Sequence, residues 1–215
     1  MRRLSFLLFF FAACATPRQL VVVTTPNLGV VDGTLRTYER AGNAWKKVGE
    51  DVPVVVGRRG LAPLGEKKEG DGRSPSGEIP IGDTFGFAPS TDLRMPYRYL
   101  RETTECVDDV NSRFYNAIVE RDPDSDWKSS EKMRSIEAYR IGAVVDYNDK
   151  GQPGKGSCIF LHIWGGPGHG TAGCTAMAET DLDRLLHWLD PAAHPRLVQL
   201  TAADYEKMRA QWQLP

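Results

Sequence analysis

The chain has 215 residues, of which 41% are hydrophobic and 26% are charged. These values fit one globular domain with a sizeable core and argue against wholesale disorder. Lys and Arg total 27 and Asp and Glu total 28, so the formal net charge is −1. A nucleic-acid binder would show a clustered basic excess, so we expect no nucleic-acid partner.

The N-terminus has the pattern of an export signal. Arg2 and Arg3 precede an almost entirely apolar run at residues 4–13. Ten residues rise about 15 Å as a helix, too short for a permanent membrane span. The run has no polar face, which disfavours an ordinary surface helix. The pattern therefore predicts a signal peptide at residues 1–13 and a mature protein that acts in the periplasm.

Small residues precede Cys14 in the sequence Phe11-Ala12-Ala13-Cys14-Ala15, which resembles a bacterial lipobox. In that pattern the cysteine is lipidated and becomes the new N-terminus. Simple signal-peptidase cleavage after Ala15 is the alternative. Lipidation is favoured because an unpaired cysteine at a secreted N-terminus otherwise has no role. We expect a lipoprotein of the cell envelope that meets the membrane only through this anchor.

Runs of apolar and β-branched residues predict a β-rich domain over residues 20–215. Strands are expected at residues 20–25, 33–39, 52–56, 78–81, 140–147 and 158–164. Residues 58–77 are expected to form an exposed loop, and the polar segment 88–135 a long irregular insertion or lid. Helices are expected near residues 178–189 and 202–212, the second with Thr201 as its N-cap. The predicted fold class is α+β, mainly β, in one domain with C-terminal helices.

A histidine and a cysteine mark the candidate site. Strand alternation places Ile159, Leu161 and Ile163 on one face and Cys158, Phe160, His162 and Trp164 on the other. Six of the ten residues from 165 to 174 are Gly or Pro, so the backbone can turn tightly and return Cys174 towards His162. An imidazole can take the proton of a thiol whose ordinary pKa is about 8.5. A helix expected just after Cys174 would favour the thiolate.

This arrangement predicts acyl transfer through a thioester, with backbone N–H groups of Gly173 and Cys174 as oxyanion donors. A buried structural thiol is the alternative for Cys174. Four residues have metal-ligating side chains: Cys158, His162, His169 and Cys174. Cys158 and His162 would lie about 13 Å apart along a strand, too far to share one ion. This separation argues against a zinc site made of all four residues. The sequence implies no other metal and no organic cofactor.

Two other groups of residues do not fit a catalytic role. Asp108 and Asp109 are adjacent, so on a strand their carboxylates would point to opposite faces and could not form a glycosidase pair. His169 lies in the glycine-rich loop and is expected to be solvated rather than a second base.

Two stretches of sequence carry a family resemblance. Ile159-Phe160-Leu161-His162 followed by Thr171-Ala172-Gly173-Cys174-Thr175 resembles the catalytic signature of the YkuD-type L,D-transpeptidases. Residues 68–77 and 79–82 are similar to the loop and strand that precede the site in that family. The resemblance follows the family order over residues 20–200. It implies a β-sandwich-like catalytic domain, peptidoglycan stem peptides as substrate and partner, and no cofactor.

The resemblance also implies a role for each matching residue. Cys174 would attack the carbonyl between a diamino acid, typically meso-diaminopimelate, and the terminal D-Ala of a stem tetrapeptide. D-Ala would leave, and the acyl group would pass to an amine or to water. His162 would be the general base, Thr171 the hydroxyl beside the nucleophile, and Gly173 with Cys174 the oxyanion donors.

Two alternatives to the transpeptidase remain. Ala176 stands where many members of the family have Arg or Asn. Hydrolysis by an L,D-carboxypeptidase or endopeptidase is therefore one alternative. A catalytically silent peptidoglycan-binding lipoprotein is the other.

The remaining candidates surround this site. Cys106 and Cys158 are a candidate disulfide in an oxidising compartment, with two separately buried thiols as the alternative. Trp164 and Thr175 are candidate substrate-binding residues, although a strand tryptophan commonly packs in the core. Three arginines of the insertion are expected to be solvated, with contact to stem-peptide carboxylates as the alternative: Arg94, Arg98 and Arg101.

Overall fold

The computed structural model describes residues 16–215. The export signal at residues 1–13 and the lipidation candidate Cys14 lie outside this part of the chain. The strands are β1 Gln19–Thr25, β2 Asp32–Ala41, β3 Ala44–Val55, β4 Gly77–Gly86, β5 Tyr97–Tyr99, β6 Thr104–Val107, β7 Ile118–Glu120, β8 Ser130–Lys132, β9 Ile141–Val145, β10 Phe160–Ile163, β11 Thr175–Met177 and β12 Arg196–Thr201. The helices are α1 Glu179–Trp188 and α2 Ala202–Arg209, and single 3-10 turns occur at Met133–Ser135, Glu137–Tyr139 and Pro191–Ala193.

The main sheet closes on itself. Its strands are hydrogen-bonded in the order β12-β1-β2-β3-β11-β10-β9-β4, β4 pairs back with β12, and β5 extends from β4. Closure pairs both edges of the sheet and encloses an apolar interior. The predicted class, α+β and mainly β, is confirmed.

Helices cover this sheet on two sides. The leucines of α1 pack into the main core with Val21 and Val23 of β1. Leu20 and Val22 point to the opposite face of β1, where residues of α2 and the C-terminus cover them. Thr201 caps α2, since its Oγ1 accepts a hydrogen bond from the Asp204 N–H at 3.1 Å. Both helices are therefore found where the sequence predicts them.

The segment 88–135, predicted to be irregular, contains a second sheet. We call β6, β7 and β8 the accessory sheet; β6 lies in its centre and pairs antiparallel with both neighbours. Buried Glu105 of β6 accepts hydrogen bonds from Trp127 Nε1, Ser130 Oγ and Arg121 Nε. Burial alone would raise the pKa of Glu105, but these donors lower it to about 2. The accessory sheet is thus built around a paired carboxylate.

A disulfide joins the accessory sheet to the main sheet. The sulfurs of Cys106 in β6 and Cys158, just before β10, are bonded, with their Cα atoms 6.0 Å apart. Cys158 has a left-handed backbone with a φ of 54°. The accessory sheet is therefore held beside the strand that carries His162.

Several elements differ from their predictions. β3 begins at Ala44 rather than at residue 52, and β11 and β12 are not among the predicted strands. The expectation that Cys174 stands just ahead of a helix is wrong, because residues 175–177 form β11 and α1 begins only at Glu179. Those residues pair in parallel with β10, with Leu161 opposite Thr175. The thiol therefore does not lie at a helix N-terminus.

Candidate active site

Cys174 ends the glycine-rich loop and lies beside the start of β10. Its sulfur accepts a hydrogen bond from the Phe160 N–H at 3.3 Å and donates one to the Cys158 carbonyl at 3.3 Å. The side chain is 5% exposed, and it is the one free cysteine among residues 16–215. The parallel pairing of β10 and β11 thus fixes the thiol against the backbone of the histidine strand.

His162 presents a basic nitrogen. Its Nδ1 lies 2.7 Å from the carbonyl oxygen of Ile163. A carbonyl can only accept, so in the neutral ring Nδ1 carries the hydrogen and Nε2 carries the lone pair. Burial lowers the pKa of His162, and the hydrogen bond to Ile163 only partly offsets this effect. The imidazole is therefore neutral at neutral pH and can accept a proton at Nε2.

Tyr139 contacts both of these residues. Its ring meets the His162 ring edge-on, with centroids 5.3 Å apart. Its hydroxyl donates to Glu131 Oε2 at 2.7 Å, and it lies close enough to Cys174 to lower the pKa of the thiol. Within residues 16–215 no hydrogen bond joins His162 directly to Cys174, so Tyr139 is the group they share.

Burial raises the pKa of the Cys174 thiol, and the nearby charge of Glu131 adds to this effect. The Phe160 N–H, the Tyr139 hydroxyl and the positive charge of Lys67 act in the opposite direction but do not cancel it. The resting form is therefore a neutral thiol. A nucleophile of this kind must lose its proton as it attacks.

Two hydroxyls hold the nucleophile turn in place. Thr171 Oγ1 and Ser74 Oγ both donate to the Cys174 carbonyl, at 2.6 Å and 2.8 Å. Thr171 Oγ1 also accepts from the Gly173 N–H at 3.1 Å. The expectation that the Gly173 N–H is an oxyanion donor is therefore wrong in this conformation, because Thr171 occupies it. The Cys174 N–H has no acceptor within residues 16–215 and remains available.

The loop 58–77 packs against this turn and is not the exposed loop that its composition predicts. Lys67 is 4% exposed and Ser74 is fully buried. Lys67 Nζ donates to Asp71 Oδ1 at 2.8 Å. Burial alone would raise the pKa of Asp71, but Lys67 and two backbone N–H groups lower it. A Cβ atom at Gly173 would lie 3.2 Å from the Arg73 carbonyl oxygen, so the close packing favours glycine there.

Thr175 does not face a groove. It is 1% exposed, and its hydroxyl donates to Gln199 Oε1 at 2.6 Å. The expectation that its side chain binds substrate is wrong, because the side chain points into the closed sheet. Ala176, the departure from the family pattern, is also 1% exposed and lies opposite His162 in the ladder.

Trp164 and His169 lie beyond the end of β10. Trp164 is half-buried, and its backbone N–H donates to the Met177 carbonyl at 2.9 Å. His169 is exposed and contacts only its own loop, through the Gly165 carbonyl. Its solvated position agrees with the sequence expectation.

The three arginines of the insertion, at positions 94, 98 and 101, differ in their exposure and contacts. Arg101 is 66% exposed. Arg94 is not simply solvated, because it donates to Asp190 Oδ2 at 3.0 Å and to the Trp188 carbonyl at 2.7 Å. It therefore ties the start of the insertion to the C-terminal end of α1. Arg98 is partly buried and lies in β5.

The sequence missed Tyr139 and Glu131. Tyr139 ends a single 3-10 turn and Glu131 lies in a three-residue strand, so neither belongs to a periodic pattern or motif. Their nearness to Cys174 depends on how the accessory sheet docks. One available signal was a tyrosine close before a predicted central strand.

A model of the YkuD family, described as the L,D-transpeptidase catalytic domain, matches residues 20–198. The chain belongs to this family. No curated protein sequence matches the chain.

Two solved structures are similar to this domain. Bd1075 from Bdellovibrio bacteriovorus has a TM-score of 0.48 at 13% identity, covering 92% of this chain and 55% of its own. The helical cell shape determining protein Pgp2 from Campylobacter jejuni has a TM-score of 0.44 at 16% identity, covering 85% and 47%. The chain therefore spans about half the length of these proteins.

Within residues 16–215, no helix is both long and apolar enough to cross a membrane. In the same part of the chain, no cluster of three or more His, Cys, Asp or Glu side chains is arranged to hold a metal ion.

Proposed function

We propose that the protein is a cysteine acyltransferase of the L,D-transpeptidase type, acting on peptidoglycan stem peptides through a thioester at Cys174. The observation that carries this proposal is that a free thiol and a histidine whose Nε2 carries the lone pair both lie next to Tyr139. Membership of the family gives the substrate class.

In the proposed reaction, the carbonyl before the terminal D-Ala is attacked by Cys174 while His162 Nε2 takes the thiol proton. The pKa shifts of both groups disfavour a resting thiolate–imidazolium pair, so proton transfer accompanies the attack. The Cys174 N–H donates to the tetrahedral oxyanion. His162 then returns the proton to the departing amine, D-Ala leaves, and the thioester remains.

The second half of the reaction consumes the thioester. His162 accepts a proton from the incoming amine as that amine attacks the thioester carbonyl. The sulfur departs, regains a proton from His162, and a new amide is formed. Trp164 follows the catalytic strand directly, and we propose that its half-buried ring lines the path of the peptide.

Hydrolysis is the second candidate, and Ala176 favours it. This residue lies opposite His162 and carries neither a guanidinium nor an amide with which to hold a peptide acceptor. With water as the acceptor, the same thioester would give an L,D-carboxypeptidase.

Incubation with purified disaccharide tetrapeptides, followed by mass spectrometry, tests these proposals. Crosslinked dimers with free D-Ala support transfer, and tripeptides alone support hydrolysis. Cys174→Ala is the control and should leave the substrate unchanged. An unchanged substrate with the wild-type protein would contradict both enzymatic proposals and favour the silent binding protein.

A carbapenem provides a second probe of the nucleophile, because such compounds acylate the cysteine of this family. The intact mass of the wild-type protein should rise by one adduct, and that of Cys174→Ala should not. Equal adduct formation in both proteins would show that the nucleophile is a different residue.

We also propose that Cys14 is lipidated and anchors the protein in the envelope. The lipobox-like sequence before Cys14 supports this proposal. Labelled palmitate should enter the wild-type protein and not a Cys14→Ala variant. Cleavage after Ala15 with no label in either protein would show a simple secreted form.

A further inference from the structure

A carboxylate of the accessory sheet lies next to the nucleophile but has no part in the proposed reaction. Glu131 is the central residue of β8 and pairs with Cys106 of β6. Cys106 is in turn bonded to Cys158, whose carbonyl accepts from the Cys174 thiol. The position of Glu131 relative to the sulfur is thus fixed by both the sheet register and the disulfide.

Tyr139 stands between Glu131 and Cys174 and has one proton to donate. Burial raises the pKa of this phenol well above its ordinary value, so it stays protonated. An ionised Glu131 is the stronger acceptor, and the phenol donates to it. A protonated Glu131 would instead donate its own hydrogen to the phenol oxygen, which frees the phenol hydrogen to turn to the sulfur.

We propose that Glu131 is a positioning residue for the nucleophile: acting through Tyr139, it determines whether the phenol hydroxyl donates to the Cys174 sulfur. The proposal rests on the proposed function and adds a control on the same thiol. With Glu131 protonated, the developing thiolate receives a hydrogen bond and faces no adjacent negative charge. With Glu131 ionised, it loses the donor and gains the repulsion.

The groups around Glu131 place the ionisation of its carboxyl near neutral pH. Burial raises the pKa of Glu131 to about 7, and the charges of Asp108 and Glu69 add to this effect, while the Tyr139 hydrogen bond opposes it. Lys67 faces Cys174 and favours its thiolate. The activating form of Glu131 is therefore present below about pH 7 and is lost above it.

The pH dependence of D-Ala release from a disaccharide tetrapeptide tests the proposal. For the wild-type protein, kcat/KM should fall as pH rises through about 7. Glu131→Gln is isosteric and stays neutral, so it should keep its activity to higher pH. Tyr139→Phe lacks the donor, so it should be slower than the wild type below about pH 7. Its decline near pH 7 should be smaller, because only the repulsion from ionised Glu131 remains.

Glu120→Gln is the matched control. It removes a carboxylate from the accessory sheet that accepts from Thr104 rather than from Tyr139, and it should keep the wild-type pH profile. If Glu131→Gln retains the decline near pH 7, the role of Glu131 is disproved while the proposed function stands.

Alkylation of Cys174 by iodoacetamide gives a readout that needs no peptidoglycan. At pH 8 the rate, followed by intact mass, should rise about tenfold in Glu131→Gln if the thiol pKa falls by about one unit, and it should stay near the wild-type rate in Tyr139→Phe, because at this pH the phenol already donates to ionised Glu131. Cys174→Ala reports labelling at other cysteines. This order of rates without D-Ala release would support the positioning role and refute the proposed function. A Glu131→Gln rate equal to or below the wild-type rate would overturn the positioning role.

Discussion

A single backbone carbonyl determines which nitrogen of the candidate base is free. The Ile163 oxygen accepts from His162 Nδ1, which leaves the Nε2 lone pair without a competing donor among residues 16–215. No carboxylate is needed to orient the ring. The candidate base therefore depends on the main chain of β10 rather than on a third side chain.

His162→Ala should lower the rate of D-Ala release by about 10²–10⁴-fold, the usual contribution of a general base. His169→Ala should keep most of the activity, because His169 contacts only its own loop. Steady-state kinetics on a tetrapeptide substrate measures both. The reverse pattern would assign the base role to His169.

Thr171 stabilises the turn at Gly173 and Cys174 through its hydroxyl and does not contact the reacting atoms in the proposed reaction. Thr171→Val would leave the Gly173 N–H unpaired and remove one donor from the Cys174 carbonyl. We expect the free energy of unfolding to fall by about 1–3 kcal/mol. Thr171→Ser, which keeps the hydroxyl, should behave almost as wild type in a urea titration. A loss in Thr171→Ser with little loss in Thr171→Val would show that the methyl group, not the hydroxyl, matters.

At the residue scale, the sequence predicts His162 and Cys174 as the catalytic pair from a strand and a glycine-rich turn, and this assignment stays a prediction. The sequence predicted that Thr175 binds substrate, but strand register turns its side chain towards Gln199. It predicted that the Gly173 N–H is an oxyanion donor, but that N–H is bonded to Thr171 Oγ1. It missed Tyr139 and Glu131 because both reach the thiol from elements far from it in the chain.

The accessory sheet is the element on which the thiol's environment depends. The disulfide that attaches it closes a loop with a sequence separation of 52 residues. The accessory sheet was not predicted from the sequence, because its segment is polar and its strands are short. The spacing of the leucines, in contrast, predicted α1. Strands of three or four residues contain too few alternations to be recognised.

Replacing both Cys106 and Cys158 by serine should lower the free energy of unfolding by about 4 kcal/mol, the loop-closure contribution for a loop of this length. The accessory sheet would also lose its attachment beside β10, so iodoacetamide should label Cys174 faster. Chemical denaturation and labelling rates measure the two effects. An unchanged labelling rate would show that the sheet stays docked without the bond.

At the scale of the whole molecule, closure of the main sheet decides the architecture. β1 and β12 pair in parallel although they lie near opposite ends of the domain, and β12 also pairs with β4. Local patterns predicted most strands of the ring, but such long-range pairings have no local signature. The fold class was therefore predictable, while the closure of the sheet was not.

Cys158 is bonded to Cys106 and also lies next to Cys174, so it has two possible disulfide partners during folding. Cytosolic thiols are kept reduced, so export of the chain, as expected from its N-terminal sequence, implies that the Cys106–Cys158 bond forms only after translocation. A chain oxidised before the accessory sheet has docked is exposed to mispairing of Cys158 with Cys174, which would consume the nucleophile. Peptide mapping of protein refolded from the fully reduced state should find this wrong isomer, and an oxidoreductase that reshuffles it should restore reactivity towards a carbapenem.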